Sequence, residues 1–369
     1  MAVCGKGCSR RKLLVLGLLT LLVLPACTET PYYWQAARGQ WEIVHNQRSL
    51  EIVLLDPRVD AITKHKLRLI QDAQTFARQH LAYPPDVKAY QTYTDLGRPV
   101  VTWLVVAAPA FSLEPDPQCF LIAGCFDYRG FFQREAAQAY AAKLAHQGLD
   151  VLVRPVKAYS TLGWLRDPVL NTMLKRPDWD LAGLVFHEQA HQVLFVRGDT
   201  EFNESLATFL ETEGVSRYLA AKQDTAQQAQ FLAYQADEQR FMAIVHRGEI
   251  RLKALYDSNL PEAQKLAQKN RIFAEMAQDY QAQRQNFTLE NYDWWFTGMN
   301  NAHLAELADY TRREGAFRAL FNHNGQDFAR FWPAVRQLAD LDEAQRTQAL
   351  DQLDPLALQP PPPELLHAR

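Results

Sequence analysis

The chain has 369 residues, 48% of them hydrophobic and 22% charged, with a formal net charge of −3. That length can bury a large core, in one big domain or two coupled ones. The near-neutral balance excludes a nucleic-acid binder, whose domain would be strongly basic.

The first predicted element is a targeting signal. Lys6, Arg10, Arg11 and Lys12 make a basic n-region, and Leu13 to Leu24 is a twelve-residue apolar h-region. That run is too short for an ordinary spanning helix. Leu24-Pro25-Ala26-Cys27 follows and resembles the bacterial lipobox. The resemblance implies cleavage before Cys27, which removes residues 1–26 with Cys4 and Cys8, and lipid on Cys27 itself. Thr28, rather than Asp, implies by the same resemblance the outer membrane. The folded part would then be tethered by lipid on the periplasmic face of the envelope. The alternative is an ordinary secretory signal with an incidental Cys27. Export puts Cys119 and Cys125, in CFLIAGC, in an oxidising compartment where they could close a small disulfide loop. Two buried free thiols are the alternative.

Pro31 to Gln40 reads as a helix start, and Ser49 to Leu55 is a short apolar run. Asp60 to His80 has helical spacing through Ile62, Leu67, Ile70, Ala73 and Phe76, broken by Pro84-Pro85. Val100 to Ala107 is rich in β-branched residues and predicts a buried strand, with Phe120 to Ile122 a candidate second one. A helix over Gln133 to His146, ended by Gly148, and a strand over Asp150 to Val156 complete an α+β part spanning residues 27–175. Tyr159 to Trp164 is either a strand edge that pairs with an extended substrate or a plain loop with a packed Trp.

The next stretch, Leu181 to Glu211, carries the chemistry. His187-Glu188-Gln189-Ala190-His191 matches H-E-x-x-H. On a helix the two imidazoles stand about 40° apart on one face and can share a metal ion. Glu188 lies about 60° further round, off the metal and near a water it would hold. Asp178 or Asp180 can cap this helix, Gly198 can end it, and Phe186, Ala190, Val193 and Leu194 form its packed stripe. Twelve residues separate His191 from Glu204, which lies in a second helix, NESLATFLE. Two His and one Glu make the His2Glu set of a catalytic Zn2+, with water in the fourth position and Glu188 as the base. A metal-bound His needs an acceptor on its other nitrogen, and Asp199 and Glu211 are the candidates. Tyr159 is the first candidate for an oxyanion donor, with Tyr310 and His303 behind it.

The pair HEQAHQ and NESLATFLE resembles the gluzincin zinc peptidases, whose aminopeptidase branch carries an N-E-G-F-A-type helix. More widely, YYWQAARGQ, CFLIAGCFDYRGFF, AYSTLGWLRDPVL, FHEQAHQ…GDTEFNE and NNAHL resemble the bacterial family described as predicted aminopeptidases, many of them lipoproteins, over most of residues 31–340. The resemblance implies a zinc aminopeptidase-like activity on peptides. It includes Asn300 and Asn301, for which the sequence supplies no physical role.

Beyond Gly214, Ser216 to Arg247 and Pro261 to Gln285 are rich in helix formers. Asn286 to Asn301 interrupts them with aromatics, and Ala302 to Arg312 and Asp327 to Leu338 read as further helices. Residues 176–345 are therefore expected to form a helical zinc-binding part, and 346–369 a Pro-rich tail, in which Pro360 to Pro363 leads a segment that does not pack. The expected fold class is α+β and predominantly helical: a gluzincin-like zincin with a small mixed sheet. The competing functions are an envelope lipoprotein with a structural or vestigial zinc, and a zinc amidase acting on cell-wall material.

Overall fold

The computed structural model describes residues 30–87, 89–120, 124–158, 167–311 and 313–354. Within them the protein is predominantly helical α+β with small sheets. The signal segment, Cys27, Tyr159 to Trp164 and the Pro360–Pro363 run lie outside the described residues.

The first half holds the strands. Helix α1 (30–45) leads to β1 (Arg48–Ser49), α2 (Leu50–Leu55) and α3 (Ala61–His80). Then come β2 (Thr92–Thr94), β3 (Thr102–Ala108), β4 (Gln118–Phe120), β5 (Gly124–Phe126), β6 (Tyr128–Phe131), α4 (Arg134–His146), β7 (Asp150–Val156) and β8 (Val169–Leu170). The central sheet has the order β6-β3-β7, all antiparallel. Alternation along β3 sorts its side chains. Val105 and Ala107 pack against α4, while Val106 and Ala108 face the other way. β1, β2 and β8 make a second sheet. β4 and β5 pair as a hairpin whose opposed Cys119 and Cys125 form a disulfide.

The second half is helical: α5 (Asp178–Val193), α6 (Thr200–Lys222), α7 (Thr225–Tyr256), α8 (Glu262–Gln283), α9 (Asp293–Phe296), α10 (Asn301–Thr311), α11 (Glu314–His323), α12 (Phe328–Ala339) and α13 (Glu343–Leu353). The main core gathers residues from Ile43 to Leu350, so the expected division into parts at residue 175 does not separate two cores. A second core fills the α7–α8 hairpin, and the aromatic interruption supplies it: Phe287, Trp295 and Phe296 pack on Phe241 and Tyr280. Asp237 is fully buried beneath that interruption and accepts from the backbone N–H groups of Thr288, Leu289 and Glu290.

Several expectations are corrected. Gly214 lies inside α6, which runs on to Lys222. It is a point of close approach: a Cβ there would lie 2.6 Å from the Phe186 ring of α5. The long helix expected from Ser216 breaks at Gln223, whose φ of 55° is left-handed, and Asp224 caps α7 by accepting from the Gln227 N–H. The tail boundary at 345 cuts through α13. That helix packs, and its Arg346 is only 4% exposed.

Candidate metal centre

Helix α5 lies in the core. Residues from Trp179 to His191 are buried almost all round, so the expected single apolar stripe is in fact nearly a full cylinder. Its start is not capped by an Asp side chain. Asp178 instead bonds Lys66 at 2.6 Å and His65 at 2.8 Å, and Asp180 pairs with Arg176 at 2.7 Å. Its end comes at Val193, before Gly198, and two polar contacts fix it from outside. Tyr83 donates its hydroxyl to the Phe186 carbonyl at 2.8 Å, and Gln192 accepts from the Ala89 N–H at 3.1 Å.

The short link to α6 is closed by the motif's own asparagine. Asn203 Oδ1 accepts from the Val196 N–H at 2.8 Å, and its Nδ2 donates to the Val196 carbonyl at 2.7 Å. Asp199 caps α6 by accepting from the Phe202 N–H at 2.9 Å. Its other oxygen takes Arg346 Nε at 2.7 Å. Asp199, expected beside a ligand histidine, is therefore occupied in seating the helix. The glycines complete the arrangement. A Cβ on Gly183 of α5 would meet Val215 at 3.0 Å and Glu211 at 3.1 Å, so α5 and α6 touch closely where the site forms.

From these two helices His187, His191 and Glu204 converge, with one ligand atom of each lying within 4.8 Å of the others. Glu204 stands 3.2 Å from His187 Nε2 and 3.6 Å from His191 Nε2. The imidazole rings are 5.1 Å apart at 82°. Glu211, two turns after Glu204, accepts at 3.0 Å from His187 Nδ1. That contact keeps a proton on Nδ1, so Nε2, which faces Glu204, is the nitrogen that would give up its proton to a metal. Two imidazole nitrogens and a carboxylate oxygen at this spacing are a donor set that fits a zinc ion.

The electrostatics follow from burial among opposite charges. Burial works against a charged His187, but Glu204 and Glu211 outweigh it and hold its pKa well above the ordinary range. Burial likewise works against an ionised Glu204, yet the two histidines hold it well below the usual carboxylate range. Glu188 is raised by burial, with His187 and His191 pulling the other way. Behind it stands Tyr90, 1% exposed and at φ 64°, a strained backbone for a bulky side chain. Burial and the charges of Glu188 and Asp167 keep its hydroxyl protonated.

A small cleft opens beside Glu204, lined by Leu104 and Val106 of β3, Asp127, Tyr128, Arg154, Thr200 and Glu306. Arg154 and Glu306 pair across it. The Thr200 hydroxyl bonds the Asp127 carboxyl, whose pKa burial raises. The cleft has room for about one water-sized group. Neither Asp127 nor the Arg154–Glu306 pair carries a signal in the sequence beyond the position of Asp127 inside CFDYRGFF.

The remaining candidates fall elsewhere. His303 is 5% exposed, with Nδ1 against Asn300 and its ring against Trp295, and burial lowers its pKa to about 4. It is a neutral core residue. Asn300 and Asn301 now have a role in the fold. Asn300 donates to the Val151 carbonyl and Asn301 to the carbonyls of Pro109 and Ala110, which fastens α10 to the central sheet. Tyr159 and the side chain of Tyr310 lie outside the described residues.

Comparison with known families places the chain in one of them. The family model described as "Putative aminopeptidase" matches residues 31–350. The chain belongs to that family. The match covers both ligand helices and extends through most of α13, further than residue 340. No curated protein and no solved structure matches the chain. Membership suggests peptidase activity and a peptide as the class of substrate.

Proposed function

We propose that the protein is a zinc-dependent aminopeptidase of gluzincin type, tethered to the cell envelope through lipid on Cys27. The observation that carries the reading is the convergence of His187, His191 and Glu204 with Glu188 on the same helix turn. A zinc ion held by those three side chains supplies Lewis acidity, acidifying water and polarising a carbonyl oxygen.

The chain's own residues do the rest. Glu188, with its affinity for protons raised by burial, takes a proton from the attacking water and returns it to the leaving amine. Glu211 holds His187 in one tautomer. Asp127, in the cleft beside Glu204, is the carboxyl that accepts the substrate's α-ammonium group. A purely structural zinc is disfavoured, because the donor group among the described residues has three members and a closed site needs four.

The test is zinc content together with hydrolysis of free and N-acetylated peptides, with and without chelator. Chelator-resistant hydrolysis, or turnover undiminished in Glu188→Gln, overturns the reading.

A further inference from the structure

We infer that the exposed face of α1 is a lipid-docking surface, by which the folded part lies against the membrane its amino-terminal segment reaches. The inference rests on the tethered reading above and adds a second, non-covalent contact to it.

The observation is an exposed apolar stripe. Trp34 is 71% exposed, Trp41 62%, Val44 45% and Tyr33 43%. At 100° per residue these four, with Arg38 and His45, occupy one arc of about 140°. Gly39 and Ile43 point the opposite way and are buried. The helix cannot roll to hide the stripe. A Cβ on Gly39 would lie 2.2 Å from the Phe132 ring, and Gln35 accepts from the Phe132 N–H at 2.8 Å. Scattered exposed apolar residues need no explanation, but two exposed Trp aligned with Tyr and Val on one helix make a patch.

The charge pattern selects lipid as the occupant. The exposed residues between 30 and 46 include Arg38 and His45 and no carboxylate. The one acid of the helix, Glu42, is turned to Arg98 at 2.6 Å. Trp, Tyr and a cation on one face is the composition that sits at the headgroup level of a bilayer, rings toward the acyl boundary and cation toward phosphate. His45 stacks on Trp41 at 4.4 Å and holds the indole in place.

Reach supports the same occupant. Cys27 stands three residues before Thr30, a separation of at most about 10 Å. An acylated Cys27 therefore cannot be further than that from the start of α1. The helix is roughly 24 Å long, so its whole stripe lies within reach of the surface.

The experiment uses the full chain reconstituted in phosphatidylethanolamine–phosphatidylglycerol vesicles, with and without bromine on the acyl chains near the glycerol. Tryptophan quenching is compared between wild type and Trp34→Ser/Trp41→Ser. The chain has eight Trp, so the difference isolates these two. Bromolipid is expected to quench the wild type, and the double variant to lose at least half of that quenching with melting, zinc content and hydrolysis unchanged. Equal quenching in both proteins, or none in the wild type, overturns the inference. So does a dimer in detergent that the double variant dissolves, since a second copy would then cover the face. The mass of the amino-terminal peptide reports the tether separately. An unmodified Cys27 sinks the tether and an inactive wild type sinks the peptidase reading, while quenching still decides the fate of α1.

Discussion

Asn203 grips Val196 with both halves of its amide, at 2.8 Å and 2.7 Å. The residue before the candidate ligand Glu204 thus clamps the loop that leaves the histidine helix. Asn203 is 2% exposed, and Asn203→Ala strips the Val196 N–H of its acceptor and leaves the Val196 carbonyl only the Asp199 N–H at 3.3 Å. The expected cost is about 1–3 kcal/mol of stability, read from urea unfolding. Zinc affinity, read by chelator competition, should fall with it, because the helix start that carries Glu204 loosens.

Glu188→Gln should separate binding from turnover. The zinc content stays that of the wild type, and kcat falls by about 10²–10⁴-fold, the usual share of a positioned acid–base group. Metal analysis and peptide hydrolysis on one preparation give both values.

Zinc binding should release protons at neutral pH. The His187 pKa is held well above its ordinary value by Glu204 and Glu211, so an arriving cation must displace the proton on Nε2. Affinity therefore rises with pH through neutrality. Calorimetry in two buffers of different ionisation enthalpy counts the protons, and identical heats would contradict the expectation. Glu211→Ala should weaken zinc binding by about 10–100-fold, since His187 loses the acceptor that orients it.

Asp127→Asn should raise KM for free peptides by about 10–100-fold, the weight of one charge-assisted hydrogen bond. N-acetylated peptides and zinc content should not respond. An equal effect on both peptide types would remove Asp127 from amine recognition.

Glu238 supplies a pH-dependent test of stability. Burial, then Glu314, Glu211 and Glu290, push its pKa from 4.5 up to about 7. The folded chain consequently binds more protons than the unfolded one between those values, and stability falls as pH rises through that window. Glu238→Gln removes the penalty. It should stabilise the protein by about 3 kcal/mol at pH 8, with most of the gap closed at pH 5. Denaturant midpoints at the two pH values check it.

The part of the site legible in the sequence is the part set by helical periodicity. His187 and His191 one turn apart, and Glu204 and Glu211 two turns apart, share a face by spacing alone. The strands β3 and β7 and the helices α3 and α4 were legible for a similar local reason, their own patterning and breakers. Asp127 was not, because strand pairing and the packing of the central sheet bring it to Thr200, and no local pattern encodes that. The caps of α5 were misplaced because Asp178 found Lys66 of α3 and Asp180 found Arg176 in the turn that precedes the helix. Helix α13 was missed because the Pro-rich composition beyond it suggested an unpacked tail, whereas Arg346 anchors it to Asp199.

That anchor lies 147 positions downstream of the residue it holds. During synthesis, the helix bearing Glu204 gains its final seating only after α13 has emerged. A chain that ends prematurely before α13 keeps every proposed ligand yet lacks the bolt on the helix that presents one of them. Loss of α13, ordinarily a trimming of the periphery, would here be an injury to the candidate metal centre.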